Sequence, residues 1–548
     1  MFTAKGIPAS AGIVSGVAVF SKAARIVVKP ERAEDTQAEL CRFADGQNEA
    51  LRELDALCQE AVSVVGEEMA QIFEIHKMMI EADEFADRVR ELIRSEKFCA
   101  PYAVQQTSQE LAAIFTATDD KYMKERAADV MDISERLIRI MLGIQAKAID
   151  PQQQSILLAD DFLPSDTIHL DTSKVLAFVT KLGSHTSHLS ILARTRGITA
   201  VVGLGEAAYS RITPGAQLIV DGDSGEVIVD PDASQLREYE QKRRELELSR
   251  AELQKYKGIP SRTLDGTPVE VCANIGSVAD LDSVLDNDAD GIGLVRSEFL
   301  YMECNEMPSE ESLYEAYKKC VCRMGGKRVI IRTLDIGADK PLPYLDLGHE
   351  ENPAIGFRAI RVCLKKPELF ADQLRAILRA SAHGKVSIMF PMISGLPEFL
   401  EGKQAVLRCM DELRQKGVAF DEHVQIGMMI EVPAAAIMSD VLAQHADFFS
   451  IGTNDLTQFT LAADRTNPQV DFLFNSPNEA VLRLIELTAQ NARKHHIMCG
   501  ICGEMGANLN LTERFLRMGI RELSVTPRKI LEVRKTVCLI DLGKGPND

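Results

Sequence analysis

Apolar residues recur every three or four positions between residues 35 and 144, a spacing that is typical of amphipathic helices. They form two stripes, from Leu51 to Ile72 and from Met123 to Met141. Three polar breaks divide this block, at 82–84, 95–97 and 118–120. Strand-like runs with glycine turns precede the block, starting at Gly6, and others follow it. The pattern predicts a helical bundle, residues 22–144, inserted into an α/β domain formed by residues 1–21 and 145–232.

Beyond residue 258, short strand-like runs alternate with helical patterns. Eight such runs are present, at 269–275, 291–296, 329–336, 385–393, 425–432, 448–454, 497–503 and 522–526. Eight repeats of strand and helix are typical of a (β/α)8 barrel, in which the chemistry takes place at the carboxyl ends of the strands. We therefore predict a TIM-type barrel over 259–548. Residues 233–258 are highly charged with few apolar positions, which predicts a linker helix between domains.

Composition excludes several classes of protein. With 548 residues, the chain is too long for one hydrophobic core. A formal net charge of -19 argues against a nucleic-acid-binding protein and favours a partner with a basic surface. No apolar run reaches the roughly 18 residues of a membrane span, and no signal-peptide pattern opens the chain, so we expect a cytoplasmic protein without a membrane partner. The twelve cysteines are scattered, as expected of reduced thiols.

His188 stands where a strand-like run, a glycine break and a helical pattern meet. The apolar run 175–180 ends before Gly183, and hydroxyl residues precede the helical pattern that starts near Leu189. Free backbone N–H groups at such a helix start favour an anion, so this histidine could hold a phosphoryl group. A histidine that merely packs there is an equally good interpretation. His185 and His188 could also bind a metal, but no further ligand residue lies at ligand spacing.

Charged and polar side chains cluster at the predicted strand ends of the barrel. They are Arg296, Arg332, Lys340, Arg358, Glu431, Asn454, Asp455, Arg465, Cys502 and Glu504. A single arginine–glutamate pair is structural about as often as functional, but several cations converging with carboxylates suit a small, multiply charged ligand. Arginine grips phosphate and carboxylate oxygens in bidentate fashion, and two carboxylates can hold Mg²⁺.

The motif Cys499-x-x-Cys502 has two other interpretations, a redox dithiol or half of a zinc site. Neither fits well, because the motif lies inside a predicted barrel strand and no second Cys/His pair follows at metal spacing.

The run from Thr186 to Arg194, followed by Ala200-Val-Val-Gly203, resembles the phosphohistidine signature of the phosphoenolpyruvate-utilising enzymes. The barrel segments resemble the same family, and the similarity to Enzyme I of the bacterial sugar phosphotransferase system extends over essentially the full length. One departure is His185, where Enzyme I usually has an arginine. The resemblance implies a swivelling phosphohistidine α/β domain with an inserted bundle, followed by a phosphoenolpyruvate-binding barrel.

The resemblance also implies a role for individual residues. His188 would accept the phosphoryl group, and Thr167 would contact this histidine. The substrate-binding residues would be Arg296, Arg332, Arg358, Asn454, Asp455 and Arg465. Glu431 and Asp455 would bind Mg²⁺, and Cys502 would protonate the enolate carbon as pyruvate forms.

The partners follow from the same resemblance. The bundle of Enzyme I docks the histidine phosphocarrier HPr, and the corresponding residues here are Glu67, Glu68, His76 and Glu84. A merely solvated acidic face is the alternative. The family also implies a homodimer through the barrel and a swing of the His188 domain on the linker helix.

Two other functions fit parts of this sequence. Pyruvate phosphate dikinase and phosphoenolpyruvate synthase resemble the same two domains, but they need a nucleotide domain before the histidine domain. Only the bundle stands there, and the chain has no G-x-x-x-x-G-K-[ST] loop. A non-catalytic phosphoenolpyruvate sensor would need the strand-end residues to be lost, and all are present.

Overall fold

The computed structural model describes residues 1–21, 26, 28–65, 67–117, 121–144, 154–162, 170, 172–184, 187–302, 304, 306–338, 340, 342, 344–465, 467, 469–474 and 476–545. The side chains of 60–71, 117, 121–126, 128, 172, 188, 191, 195 and 471 lie outside this description. The chain forms two compact units, Met1–Leu248 and Ser249–Asp548. No helix among the described residues is both long enough and apolar enough to cross a membrane.

One mixed sheet of eight strands organises the first unit. Its strands are β1 (Phe2–Lys5), β2 (Ile7–Ser10), β3 (Ile13–Phe20), β4 (Ser155–Ala159), β5 (Val175–Thr180), β6 (Thr199–Val202), β7 (Gln217–Asp221) and β8 (Glu226–Val229). They lie in the order β1-β8-β7-β3-β4-β5-β6-β2. Strand β3 pairs in parallel with β4, so strands from before and after the helical block share one sheet. The predicted insertion of a bundle into an α/β fold is confirmed.

Both faces of this sheet are buried, because successive residues of a strand point to opposite faces. Ile156 and Leu158 of β4 join one apolar cluster, whereas Leu157 joins the other. Short helices cover the sheet, α6 (His188–Arg196) and α7 (Glu206–Tyr209). Strand β1 was not predicted. Its four residues carry no distinct pattern, and they are a strand because they pair antiparallel with β8, more than 200 positions later.

The described residues of the inserted block form five helices. They are α1 (Thr36–Val65), α2 (Glu67–Glu81), α3 (Asp83–Ser95), α4 (Ala100–Ala117) and α5 (Lys121–Met141). The breaks predicted at 82–84 and 95–97 are confirmed, and the one at 118–120 lies outside the described residues. The stripe from Leu51 to Ile72 is divided between two helices that pack against one another. Apolar spacing continues across this helix end because both helices face one core.

A long helix, α8 (Ala233–Gln254), follows the sheet and has no buried residue, as its charged sequence predicts. The part of this helix that belongs to the first unit, up to Leu248, is nevertheless fixed to the sheet. Leu236 and Tyr239 pack against the cluster that contains Ile219. The Lys242 ammonium donates to the buried Asp221 carboxylate over 2.6 Å.

The second unit is a closed barrel of eight parallel strands. They are β9 (Glu270–Ile275), β10 (Ile292–Arg296), β11 (Val329–Arg332), β12 (Val386–Phe390), β13 (Gln425–Ile430), β14 (Phe448–Ile451), β15 (Met498–Ile501) and β16 (Glu522–Val525). Every strand lies within one of the eight predicted runs, which confirms the barrel. Alternate side chains fill its interior, among them Leu294, Ile330, Met389 and Phe448.

Helices surround the barrel and, with the strands, bury a second apolar layer. They are α9 (Leu281–Asp286), α10 (Glu298–Met302), α11 (Glu310–Arg323), α12 (Ile360–Lys365), α13 (Pro367–Ser381), α14 (Leu396–Gln415), α15 (Pro433–Ile437), α16 (Ser439–Leu442), α17 (Thr453–Leu461), α18 (Glu479–Lys494), α19 (Leu509–Met518) and α20 (Ile530–Leu539).

An ionic cluster lies at the amino-terminal ends of the barrel strands. Arg328 donates to both Glu270 and Glu522, and Glu522 is fully buried. Burial raises the pKa of Glu522 to about 7, with Arg328 opposing the shift and Glu270 adding to it. Such a carboxyl binds its proton more tightly in the folded protein than in the unfolded chain. Its contribution to stability is complete at a pH below its pKa in the unfolded chain, and it is lost as pH rises through its pKa in the folded protein.

Glu522→Gln should therefore stabilise the barrel relative to the wild type more strongly as pH rises. The difference in free energy of unfolding should grow by about 3 kcal/mol between roughly pH 4.5 and pH 8, because the amide has no charge to desolvate. Urea unfolding of both proteins at each pH, followed by circular dichroism, measures this difference in free energy. Glu270→Gln is the matched control, because its half-exposed carboxylate contacts the same arginine. A difference that does not change with pH would contradict the burial of a titrating carboxyl.

Candidate active site

The barrel places the predicted site residues at one rim, because the carboxyl ends of parallel strands meet at one end. Arg296 and Arg332 are the last residues of neighbouring strands and face each other in register. Three further strand ends contribute side chains. Glu431 directly follows β13, Cys502 directly follows β15, and Asn454 and Asp455 lie in the first turn of α17, which follows β14.

A buried ionic cluster occupies the β11 side of this rim. Arg332 donates through Nη2 to Glu298 Oε1 over 2.5 Å, and its Nη1 lies 3.0 Å from Asp335 Oδ2. Arg358 donates through Nη2 to Asp335 Oδ1 over 2.8 Å. Lys340 Nζ lies 3.8 Å from Glu298 Oε1. Three cations and two carboxylates leave one unit of positive charge, which suits an anionic ligand.

The pKa shifts agree with this arrangement. Burial alone would raise the pKa of Asp335, but the guanidiniums of Arg332 and Arg358 hold it well below its usual range. Burial opposes the charge on Arg332, yet Glu298 and Asp335 raise the pKa of its guanidinium. Both groups therefore stay charged without exposure to solvent.

Glu431 differs from these carboxylates because only one of its oxygens is satisfied. The backbone N–H of Met392 donates to Oε1 over 2.6 Å, whereas buried Oε2 has no hydrogen-bond partner within the described part of the chain. Burial raises the pKa of Glu431 strongly, and the neighbouring Asp455 and Asp335 carboxylates add to the shift. An orphaned carboxylate oxygen beside a second carboxylate fits a hard divalent cation such as Mg²⁺.

Two glycines that the sequence analysis did not single out make room for this site. A Cβ on Gly452 would lie 3.0 Å from Glu431 Oε2. One on Gly503 would lie 1.9 Å from Thr453 Oγ1 and 2.6 Å from the Thr453 backbone nitrogen. Glycine is thus required where the end of β15 meets the start of α17.

Cys502 is a buried thiol directed at backbone. It donates to the Ile451 carbonyl over 3.6 Å, and Asn274 Nδ2 holds the Cys502 carbonyl over 2.9 Å. Burial raises the pKa of Cys502 to about 12, so the thiol keeps its proton. Cys499 and Cys502 are both free, and neither joins a cluster of three metal-ligating side chains in the described chain. A protonated thiol at the rim is a proton donor rather than a nucleophile.

The remaining rim residues lie on the α17 side. Asn454 Nδ2 donates to Glu504 Oε1 over 3.1 Å, and the Glu504 N–H donates to Asn454 Oδ1 over 3.0 Å. Arg465 Nη1 lies 3.8 Å from Asp455 Oδ1 and its side chain is half exposed. The Arg296 side chain has no hydrogen-bond or ion-pair partner among the described residues, and the residue is partly exposed. Its guanidinium can therefore reach a ligand.

In the first unit, α6 begins at His188, as predicted. Ser187 caps this helix by accepting the Ser190 N–H over 3.4 Å, and Gly197 ends it with a left-handed conformation, φ 66°. The backbone of His188 thus lies at a helix N-terminus. Its side chain, Thr167 and His185 lie outside the described residues.

The residues expected to dock a carrier differ in their exposure to solvent. Glu84 is exposed, whereas the side chains of Glu67 and Glu68 lie outside the description. His76 is fully buried, with Nε2 3.3 Å from Asp129 Oδ1 and its ring edge-on to Phe73. The ring of His76 therefore packs inside the bundle, and its role in carrier docking stays a prediction. Its spacing from Phe73 and Ile80 is that of a core face, a signal that the sequence already contains.

Three polar residues of the rim were missed by sequence reasoning. They are Glu298, Asp335 and Gln373, all buried. Glu298 and Asp335 lie two and three residues after the ends of β10 and β11, so their position was a usable signal. Gln373 lies within α13, and only the folded structure brings it to the rim.

Three family models match successive parts of the chain. The model described as PEP-utilising enzyme, N-terminal, covers residues 5–126. The mobile domain of PEP-utilising enzymes covers 151–225, and their PEP-binding domain covers 250–542.

Relatives match nearly the whole chain. A phosphoenolpyruvate-protein phosphotransferase of Staphylococcus epidermidis is 40% identical over 543 residues, 97% of this chain and 93% of the relative. Proteins of the same name from Bacillus subtilis and Haemophilus influenzae are 40% and 41% identical, each over 97% of this chain, and the match covers 94% and 93% of their lengths. With the barrel and its charged rim, these matches show that the chain belongs to the phosphoenolpyruvate-protein phosphotransferase family, among the PEP-utilising enzymes.

Proposed function

We propose that this chain transfers the phosphoryl group of phosphoenolpyruvate to His188, releases pyruvate, and passes the group to a histidine of the phosphocarrier HPr. The observation that carries the proposal is the rim of the barrel. There, ion-paired arginines, a half-satisfied glutamate and a protonated thiol lie together in a chain whose relatives are named for this reaction. The 1–21 and 145–232 segments act as the phosphohistidine domain, 22–144 as the carrier-binding bundle, 233–258 as the linker, and 259–548 as the substrate barrel.

Phosphoenolpyruvate carries a phosphoryl group at one end and a carboxylate at the other. Arg296 and Arg332 bind the phosphoryl end, with Arg358 supporting them. Asn454 and Arg465, on the α17 side, bind the carboxylate end, where Asp455 also lies. Fixed guanidiniums at the transferring group stabilise its charge without reorganisation.

Glu431 and Asp455 are the residues that would hold Mg²⁺. The unsatisfied Glu431 Oε2 and the adjacent carboxylate supply oxygen ligands of the kind this ion prefers. When bound, the ion neutralises charge on substrate oxygens.

The transfer breaks the phosphorus–oxygen bond of the substrate and forms a phosphorus–nitrogen bond to neutral His188. The helix N-terminus at His188 favours the anionic group that results, and Thr167 supports the ring. The electron pair of the broken bond remains on the enolate of pyruvate. Cys502 delivers its proton to the enolate carbon, and the resulting thiolate regains a proton from solvent.

The second half of the reaction needs a carrier. The acidic residues Glu67, Glu68 and Glu84 of the bundle suit a basic carrier surface, which the net charge of -19 would also attract. A swing on the linker helix would bring His188 first to the rim of the barrel and then to the carrier.

We further propose a cytoplasmic homodimer joined through the barrel, where Ile437, Met438 and Phe472 leave apolar surface exposed.

His188→Ala should abolish labelling of the protein by phosphoenolpyruvate carrying a labelled phosphoryl group, whereas His185→Ala should retain it. Only the imidazole of His188 becomes the acceptor in this proposal. Mass spectrometry of peptides, with Mg²⁺ present, locates the label. Label retained in His188→Ala, or found on another side chain of the wild type, would sink the proposed function.

Glu431→Gln should remove the stabilisation that Mg²⁺ gives to the barrel, because a neutral amide is a poor ligand for a hard cation. The shift in melting temperature with Mg²⁺, measured without substrate, tests this. Glu504→Gln is the control, since that rim carboxylate already has Asn454 as a partner. An unchanged Mg²⁺ response in Glu431→Gln would place the ion elsewhere.

Iodoacetamide should modify the exposed Cys41 and Cys322 and spare Cys502 between about pH 7 and pH 9, because the reactive form is the thiolate. Cys502→Ala should slow pyruvate formation by about 10²- to 10⁴-fold, the usual contribution of a positioned acid. Peptide mapping and a pyruvate assay provide the two measurements. Rapid alkylation of Cys502 at neutral pH would contradict a thiol held protonated by burial.

A further inference from the structure

Asp335 is shared between two arginines at the rim of the barrel. Its Oδ2 lies 3.0 Å from Arg332 Nη1, and its Oδ1 accepts from Arg358 Nη2 over 2.8 Å. All three residues are at least 94% buried. Two guanidiniums so close to one carboxylate would repel each other without it, and neither could move into water to relieve the repulsion.

Glu298 completes the arrangement by holding the other end of the Arg332 guanidinium, over 2.5 Å. The Nε–H of Arg332 then remains without an acceptor within the described part of the chain. Because the two terminal nitrogens are held by carboxylates, the plane and direction of this guanidinium are fixed.

Gln373 ties together the two segments that carry these carboxylates. Its Oε1 accepts from the Leu334 N–H over 3.0 Å, next to Asp335. Its Nε2 donates to Ser297 Oγ over 3.0 Å, next to Glu298. Helix α13 therefore fixes the loop after β10 relative to the loop after β11.

We propose that Asp335 is a positioning residue for phosphoryl transfer, which holds Arg332 and Arg358 as a preorganised pair, with Glu298 and Gln373 completing the frame. The inference rests on the proposed function of this rim. Asp335 does not touch the substrate. It acts by setting where two guanidiniums meet the phosphoryl group, and small errors in such positions cost large factors in rate.

Asp335→Asn should lower kcat/KM for phosphoenolpyruvate by about 10- to 100-fold, because the amide nitrogen would face a guanidinium donor. The matched control is Asp290→Asn. Asp290 pairs with the buried Arg534, 3.0 Å away, at the other end of the barrel strands. Both variants lose one carboxylate from a buried arginine, so a merely structural role would affect both alike. Wild-type kinetics in Asp335→Asn would overturn the inference.

A double-mutant cycle with Arg358→Lys tests whether Asp335 acts through the arginine. If it does, the double variant should lose clearly less than the product of the two single losses. Losses that multiply would overturn the inference. If Asp335→Asn fails to fold, Glu298→Gln tests the same positioning of Arg332 from its other carboxylate partner. It should lower kcat/KM while the Asp290→Asn control does not, and unchanged kinetics would again overturn the inference.

The proposed function and this inference fail in different ways. If the wild type takes no label at His188, the proposed function fails. If the wild type is labelled and Asp335→Asn transfers the group at the wild-type rate, only the role of Asp335 is lost.

Discussion

The rim of the barrel depends on one constraint: a group of buried cations must be held together without solvent. Arg332 and Arg358 meet this constraint through Asp335, and Arg332 also through Glu298. Taking these charges out of water costs several kcal/mol for each ion, and the geometry must recover that cost through paired hydrogen bonds. The parallel barrel makes the arrangement possible because consecutive strands deliver their last residues to the same place. In a chain with a formal net charge of -19, several cations converge at this rim only because the fold brings them together.

Most of the barrel could be predicted from sequence, since buried parallel strands are short apolar runs and each is followed by a helix. The placement of Arg296, Arg332, Glu431 and Cys502 followed from the same pattern, because each stands at a strand end. The pairing of these residues could not be predicted. Asp335 and Arg358 are 23 positions apart, and Gln373 reaches Ser297 across 76. Their partners are set by the packing of the loops and of α13, which no local pattern records.

The first unit shows where such patterns mislead. Strand β1 exists through its pairing with β8, and the stripe from Leu51 to Ile72 crosses a helix end because two helices bury a shared core. His76 belongs to a segment that resembles a carrier-docking region, and it shares a buried helix face with Phe73 and Ile80. The burial of this ring follows from the periodicity of the helix, which puts the three side chains on one face.

Burial raises the pKa of two groups at the rim, Cys502 and Glu431, but the two groups differ in what burial costs them. It raises the pKa of the Cys502 thiol and so keeps a proton where the proposed reaction needs an acid. It raises the pKa of Glu431 as well, but here one oxygen remains unsatisfied beside Asp455. A neutral thiol is stable in such a place, whereas a half-satisfied carboxylate is costly unless a cation completes it. The same apolar surroundings therefore support a proton donor at one strand end and favour a metal ligand two strands away.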